Sequence, residues 1–458
     1  MAGKGRNHIL LVLFIGVLMG ALDIAIVGPA LPAIGIYFQA DTRTLTWIYT
    51  VYILFFMLGT PLMAKLSDRR GRRFIYILDV FLFGVGSFIT AFSPSIEILL
   101  LGRAIQGLGA GGIFPIASAF IGDTFPPEKR GGALGIIGAV FGVAYILGPI
   151  IGGLIIEYGW QWLFIINIPI ALLVIILSLF LLPKTGKKEV KYFDWKGILV
   201  LGISLASLTY AINHLNTEHL FTSILSGQVW PFLIIFAVFL FIFLKVEMRS
   251  QDPVIKPEFF KNREITLTSV ISIFSGLNEA GMIFIPAFAI VALGFNNSQA
   301  SLMLLPLVVA MGIGAPVVGR VLDKVGSKIL MITGGLALAA GLFIFGVVGY
   351  QFNFFILSGI FIGLGLSALL GAPVRFIMLN EFPVYERAAG QGLININTSI
   401  GQLIGGTVVG AIIASMGSST SAYGFAYLFL SFTALLITIM AFGLKGRIAE
   451  LKMMVEPK

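Results

Sequence analysis

The sequence predicts an all-α integral membrane protein of fourteen transmembrane helices, arranged as two six-helix bundles in parallel repeat with two helices inserted between them. Three observations lead there: the composition, the spacing of the polar breaks, and an internal repeat. Of 458 residues, 58% are hydrophobic and only 11% charged, which is too apolar for a soluble chain of this length. A formal charge of +9 would point to nucleic acid in a soluble protein, but in a membrane chain the placement of the cations carries the information, and no nucleic-acid partner is expected. The absence of cysteine excludes disulfides, thiolate metal sites and cysteine nucleophiles. His8, His214 and His219 fall near predicted helix ends without ligand spacing, so no metal site is expected.

A hydrocarbon core about 30 Å thick needs about 20 apolar residues per helix. Polar clusters divide the chain into fourteen such segments, at 9–34, 44–65, 74–92, 96–122, 130–155, 160–183, 194–213, 229–246, 264–292, 298–320, 328–350, 352–380, 388–415 and 422–444. The first follows Lys4 and Arg6 as a signal peptide would, yet it holds Asp23, Pro29 and Pro32 and stays apolar too long. It reads as a retained span. With the N-terminus inside, 27 of the 30 Lys and Arg fall in inner loops and tails and only Arg43 falls outside; Arg103 and Arg375 lie within spans. The positive-inside rule then places both termini in the cytoplasm, in a multi-pass protein of the cell membrane. Trp160 and Trp162 are expected at the outer interface, in an aromatic belt.

The chain also matches itself. "KLSDRRGRR" (65–73) returns as "RVLDKVGSK" (320–328), with Asp68 over Asp323 and Gly71 over Gly326, an offset of 255. "FPPEKRG" (125–131) returns at "FPVYER" (382–387), with Arg130 over Arg387, an offset of 257. Two motifs at nearly one offset predict homologous bundles at 1–183 and 264–458, with residues 184–263 as an insert of two helices and their linkers. Parallel six-span repeats around a midplane cavity are a transporter architecture.

Four motifs carry a resemblance: "AKLSDRRGRR" (64–73), "LLLGRAIQGLGAGG" (99–112), "GPIIGG" (148–153) and "LDIAIVGPALP" (22–32). In that order, on those helices, the chain resembles the major facilitator superfamily over nearly its whole length, and within it the fourteen-spanner drug/proton antiporter branch. Departures are Ala64 for the loop motif's first glycine, Ala144 for a glycine before the fifth-helix motif, and Ala25 and Gly28 for a threonine and an asparagine of the first. The resemblance implies proton-coupled export of amphiphilic, cationic small molecules by alternating access. It implies no cofactor beyond the proton gradient, with the bilayer, protons and small substrates as partners of a monomer. The alternatives are a carrier of a lipid or a dedicated metabolite and, from a different class, a non-transporting membrane sensor or scaffold. No nucleophile, base and orienting group can be assembled from the deep polar residues, so no enzyme is expected, and no phosphate-cradling G-x-x-x-x-G-K-[ST] loop supports ATP drive.

Deep charges in a membrane are costly and are candidates for function. Asp23 and Arg103 lie roughly 15 and 10 Å below the outer ends of spans 1 and 4 at 1.5 Å per residue, so they either pair or compete through the cavity. Glu279, at the centre of span 9, falls onto Asp23 at an offset of 256, one acid per bundle. Either these acids exchange a proton and a cationic substrate or they form static interhelical pairs. Asp68, beside the turn at Gly71, can neutralise Arg72 or Arg130 and cap a neighbouring helix. The resemblance makes this loop, with Asp323 in the second half, a latch on the cytoplasmic side; the plainer reading is a topology anchor. Asp79 is assigned to the same network. Gly148, Pro149, Gly152 and Gly153 form a small-residue face for a close helix crossing, which the resemblance ties to antiport and which also serves simple packing. Gln106, Asn278, Asn395 and Asn397, with Gln402, suit either substrate hydrogen bonding or interhelical adhesion.

Overall fold

Thirteen helices among the described residues are long and apolar enough to cross a membrane, and each overlaps a segment expected from the sequence. This computed structural model describes residues 3–125, 133, 136–137, 140, 143–144, 147–148, 150–184, 195–216, 219–250, 253, 257–382 and 387–450, with side chains except at 3–6, 68, 122, 220–221, 257, 323, 387–389 and 391. Of the span expected at 130–155 only about half the residues are described, and these are helical. No strand occurs among the described residues.

The chain divides into two compact units, residues 1–208 with 231–254 and residues 209–230 with 255–458. The first contains α1 (Gly3–Phe38), α2 (Thr42–Arg70), α3 (Arg72–Ala91), α4 (Ile96–Thr124) and α5 (Asn167–Leu181). Helix α6 (Trp195–Asn213) belongs to the first unit up to residue 208, and α7 (Trp230–Glu247) belongs to it from residue 231 on. The second contains α8 (Arg263–Ala280), α9 (Ile285–Leu293), α10 (Leu305–Val325), α11 (Ser327–Val348), α12 (Phe352–Leu369), α13 (Ala372–Glu381), α14 (Arg387–Ser415) and α15 (Thr420–Ala441). Proline lies inside α1, α2, α4 and α10 without ending them. Hydrocarbon offers no solvent for an open backbone, so the helix continues past the residue that would stop it in water.

Within the first unit α4 packs between α2 and α3; within the second α12 packs between α10 and α11. Glycines make both sandwiches possible, and they correspond at offsets of 255 to 256. A Cβ on Gly107 would lie 2.4 Å from the Tyr52 carbonyl oxygen, and one on Gly363 2.1 Å from that of Leu307. Gly109 meets α3 at Asp79, and Gly365 meets α11 at Gly334 and Leu338. Gly86 seats against Gln106 as Gly341 seats against Ile362. The repeat seen at two loops thus extends through the helix crossings.

The loops themselves match. Gly71 (φ 97, ψ 137) and Gly326 (φ 82, ψ 166) each end one helix and start the next, in backbone conformations open essentially to glycine alone. In the second unit the chain end closes over this turn. Glu450 accepts from the N–H of Ser327 at 3.1 Å and from its hydroxyl, capping the start of α11, while Arg447 lies 3.7 Å from the same carboxylate. Lys445 pairs with Glu381 and its N–H reaches Glu264 at 3.2 Å.

Aromatic side chains pack mainly within units. Phe288, Phe345, Phe355, Tyr423 and Tyr427 form one buried ring cluster in the second unit, with centroids 4.6 to 5.7 Å apart. Of the two tryptophans expected in an interface belt, Trp162 is exposed and Trp160 is buried beneath Tyr37 and Phe38. The turn of the chain at Gly159 (φ 118) precedes Trp160, whose indole packs onto the end of α1.

Candidate functional site

The residues singled out at the centre of the first unit come together. Asp23 of α1 is fully buried, as are Arg103 and Gln106 of α4. Arg103 and Gln106 are three residues apart and share a helix face. Arg103 Nη1 donates to Asp23 Oδ2 at 2.7 Å and to Gln106 Oε1 at 2.5 Å. Gln106 Nε2 donates to Asp23 Oδ1 at 2.7 Å and to Ser87 Oγ of α3 at 2.8 Å. Asn167, the first residue of α5, gives the Asp23 carboxylate its third donor, to Oδ1 at 3.1 Å. From α2, the Ile48 carbonyl accepts from Arg103 Nε at 3.2 Å, and the Tyr52 ring lies 4.1 Å below the guanidinium. Phe164 closes the other approach at 5.6 Å. Five helices therefore supply one carboxylate, one fixed cation, two amides and an aromatic platform.

The site is electrically balanced, and that balance is what permits it. A buried charge is retained at acceptable cost only when paired and hydrogen bonded. The guanidinium cannot lose its proton, so Asp23 is the member that can change charge. Two donors remain without partners among the described residues, Arg103 Nη2 and Tyr52 Oη, so the network can accept one more hydrogen-bond acceptor.

Glu279 sits differently. It is partly exposed near the end of α8, and Gln402 Nε2 of α14 donates to its Oε2 at 2.9 Å. Just beyond it the span breaks: a 3-10 turn, Gly281–Phe284, and Pro286 separate α8 from α9. The Gly281 carbonyl accepts from Tyr427 Oη at 3.3 Å. At an offset of 256, Arg103 and Gln106 of the first half correspond to Gly359 and Ile362. At those two positions the second half carries neither the cation nor the amide of the first.

The remaining candidates scatter. Asn278 turns to α15, donating to Thr433 Oγ1 at 3.0 Å and to the Phe274 carbonyl at 2.8 Å, an interhelical contact. Asn397 is buried and Asn395 partly exposed. Gly148 and Gly152 lie on α1: a Cβ on Gly148 would be 2.4 Å from Ala25 Cβ, and one on Gly152 3.1 Å from Pro29. Gly153 is buried beside them. Arg72 pairs with Asp123 of α4, a partner that sequence reasoning did not name. The side chains of Asp68 and Asp323, and residues Arg130 and Pro149, lie outside the described set. Asp79 is fully buried, and neither carboxylate oxygen has a hydrogen-bond partner among the described residues, so its assignment to the loop network finds no bond there. Asn167, Ser87 and Tyr52 were missed. For Asn167 a signal existed, a single amide inside "WLFIINIPIALLVII" (162–176).

A many-spanned helical membrane fold with a charge-balanced cluster inside one bundle defines a membrane transporter. The Major Facilitator Superfamily model matches residues 13–252 and 267–452, and the chain belongs to that family. It is 34% identical over 419 residues to the uncharacterized MFS-type transporter YfiU of Bacillus subtilis, covering 90% of this chain and 80% of that one. It is 30% identical to Multidrug resistance protein 3 of the same organism, covering 89% and 79%. The fold resembles the xylose transporter XylE from E. coli, with a TM-score of 0.68 and 16% identity over 97% of this chain and 99% of that one.

Proposed function

We propose that this protein is a proton-driven exporter of amphiphilic, cationic small molecules across the cell membrane, with both termini in the cytoplasm. The observation that carries the reading is the buried Asp23–Arg103 pair with its two amides. A carboxylate held by a permanent cation stays charged until a proton or a substrate cation takes over its neutralisation, and neutralising it releases Arg103 to another acceptor. In this conformation Asp23 is sealed from solvent. Exchange therefore requires a second conformation in which the cluster is reached from one side of the membrane, the two conformations alternating. Glu279, which accepts from Gln402 beside a helix break, is the acid of the second half of the exchange. Identity of about 30% to a protein named for multidrug resistance supports the substrate class.

The test is reconstitution in liposomes with an imposed pH gradient and lipophilic cationic dyes. Wild-type protein is expected to move dye against its gradient at the expense of the proton gradient, and Asp23→Asn to abolish the coupling. Dye movement indifferent to pH would overturn proton drive and favour a facilitated carrier.

A further inference from the structure

Asp79 of α3 is fully buried, yet both carboxylate oxygens lack a hydrogen-bond partner among the described residues. The group presses against α4 at Gly112: a Cβ there would fall 2.0 Å from Asp79 Oδ2 and 2.6 Å from Met63 Cβ of α2. Among the described residues, no charged side chain of the surrounding elements bonds to it; the side chain of Asp68 on α2 lies outside the described set. Arg72 pairs with Asp123, Arg73 donates to the Leu179 and Leu182 carbonyls, and Arg103 is bound to Asp23. Arg69 and Arg70 are exposed, and Lys65 makes no bond to Asp79. Helix α5 carries no charged residue. Tyr76, one turn away on the same helix, turns its hydroxyl to the Val12 carbonyl at 3.4 Å.

The internal repeat provides a control. Asp79 corresponds to Gly334 and Gly112 to Ala368, and in the second unit that crossing closes with Gly334 against Ala368, a Cβ on the glycine lying 2.5 Å from the alanine methyl. Packing at this crossing therefore does not need an acid. An ionised carboxylate without donors is strongly disfavoured in such a slot, and a neutral carboxylic acid is what the slot can hold.

We propose that Asp79 is a second proton-binding carboxyl, distinct from Asp23, that holds a proton in this conformation and gives it up when α3 and α4 separate at Gly112. This rests on the proton-coupled reading above and adds one proton to each transport cycle. Infrared spectra of the purified protein at neutral pH are expected to show a protonated-acid carbonyl band that Asp79→Asn removes and Asp23→Asn leaves. In liposomes Asp79→Asn is expected to keep exporting dye with one proton fewer per molecule. A spectrum unchanged by Asp79→Asn overturns the proposal. So does a lost band with an unchanged proton count, which would make the proton a fixed one. If Asp79→Asn does not fold, dicyclohexylcarbodiimide, which attacks protonated carboxyls in apolar surroundings, is expected to modify residue 79 of the wild-type protein, read by mass spectrometry; an unmodified residue 79 overturns the proposal. Wild-type export that ignores the pH gradient defeats the coupling reading itself, and the infrared band then reports separately on whether Asp79 holds a proton.

Discussion

Asp23 and Arg103 stand or fall together. Truncating Arg103 to alanine leaves a buried carboxylate with amide donors only, and breaking a buried pair in this way costs about 3–5 kcal/mol. Arg103→Ala is therefore expected to lower the Tm of the purified protein sharply, while Asp23→Asn combined with Arg103→Gln is expected to lose less than the sum of the single changes, a coupling a double-mutant cycle measures. At the turns, Gly71 and Gly326 have ψ of 137 and 166, outside the left-handed helical region that asparagine tolerates. Gly71→Asn is expected to destabilise about as much as Gly71→Ala, by about 1–3 kcal/mol, and a clearly milder asparagine variant would contradict that backbone assignment. At this scale the sequence was informative where chemistry is rare. A carboxylate and an arginine inside apolar helices draw attention to themselves, and their partner Gln106 follows by helical spacing. Ser87 and Tyr52 were not readable, because a serine or a tyrosine in an apolar helix is unremarkable until the neighbouring helix is in place.

Among the elements, the helix crossings differ in what blocks them. A Cβ at Gly401 would lie 1.9 Å from the Ile273 carbonyl oxygen, whereas one at Gly152 would meet only the Pro29 ring at 3.1 Å. Backbone cannot yield as a side chain can, so Gly401→Ala is expected to reduce thermal stability and folded yield strongly and Gly152→Ala only slightly, read by size-exclusion chromatography in detergent. The spans were legible because hydrocarbon thickness sets their length and charge ends them. The break between α8 and α9 was not, since Gly281 and Pro286 sit in an apolar run whose composition still reads as one continuous span. The repeat was legible at its polar loops; its deeper extent, Gly107 with Gly363 and Gly109 with Gly365, is hidden among many other glycines and emerges only from what each one touches.

For the whole molecule, the two halves share a scaffold and differ in charge. Both build the same three-helix sandwich and the same glycine turn, but Arg103, Gln106 and Asp79 have Gly359, Ile362 and Gly334 as counterparts. Placing arginine into the second half, as Gly359→Arg, is expected to collapse folding, since Gly359 is buried and a Cβ there would already touch α10 at Leu307 and Pro306, 3.4 Å away, leaving no room for the rest of the side chain; the yield of folded protein checks it. A duplicated scaffold with chemistry confined to one copy leaves the other free to specialise around Glu279. The clasp at Ser327 has a practical side. A polypeptide trimmed to end at Gly446 forfeits the acid that plugs the mouth of α11, and faster amide hydrogen exchange at Ser327 and its neighbours would register the unfastening.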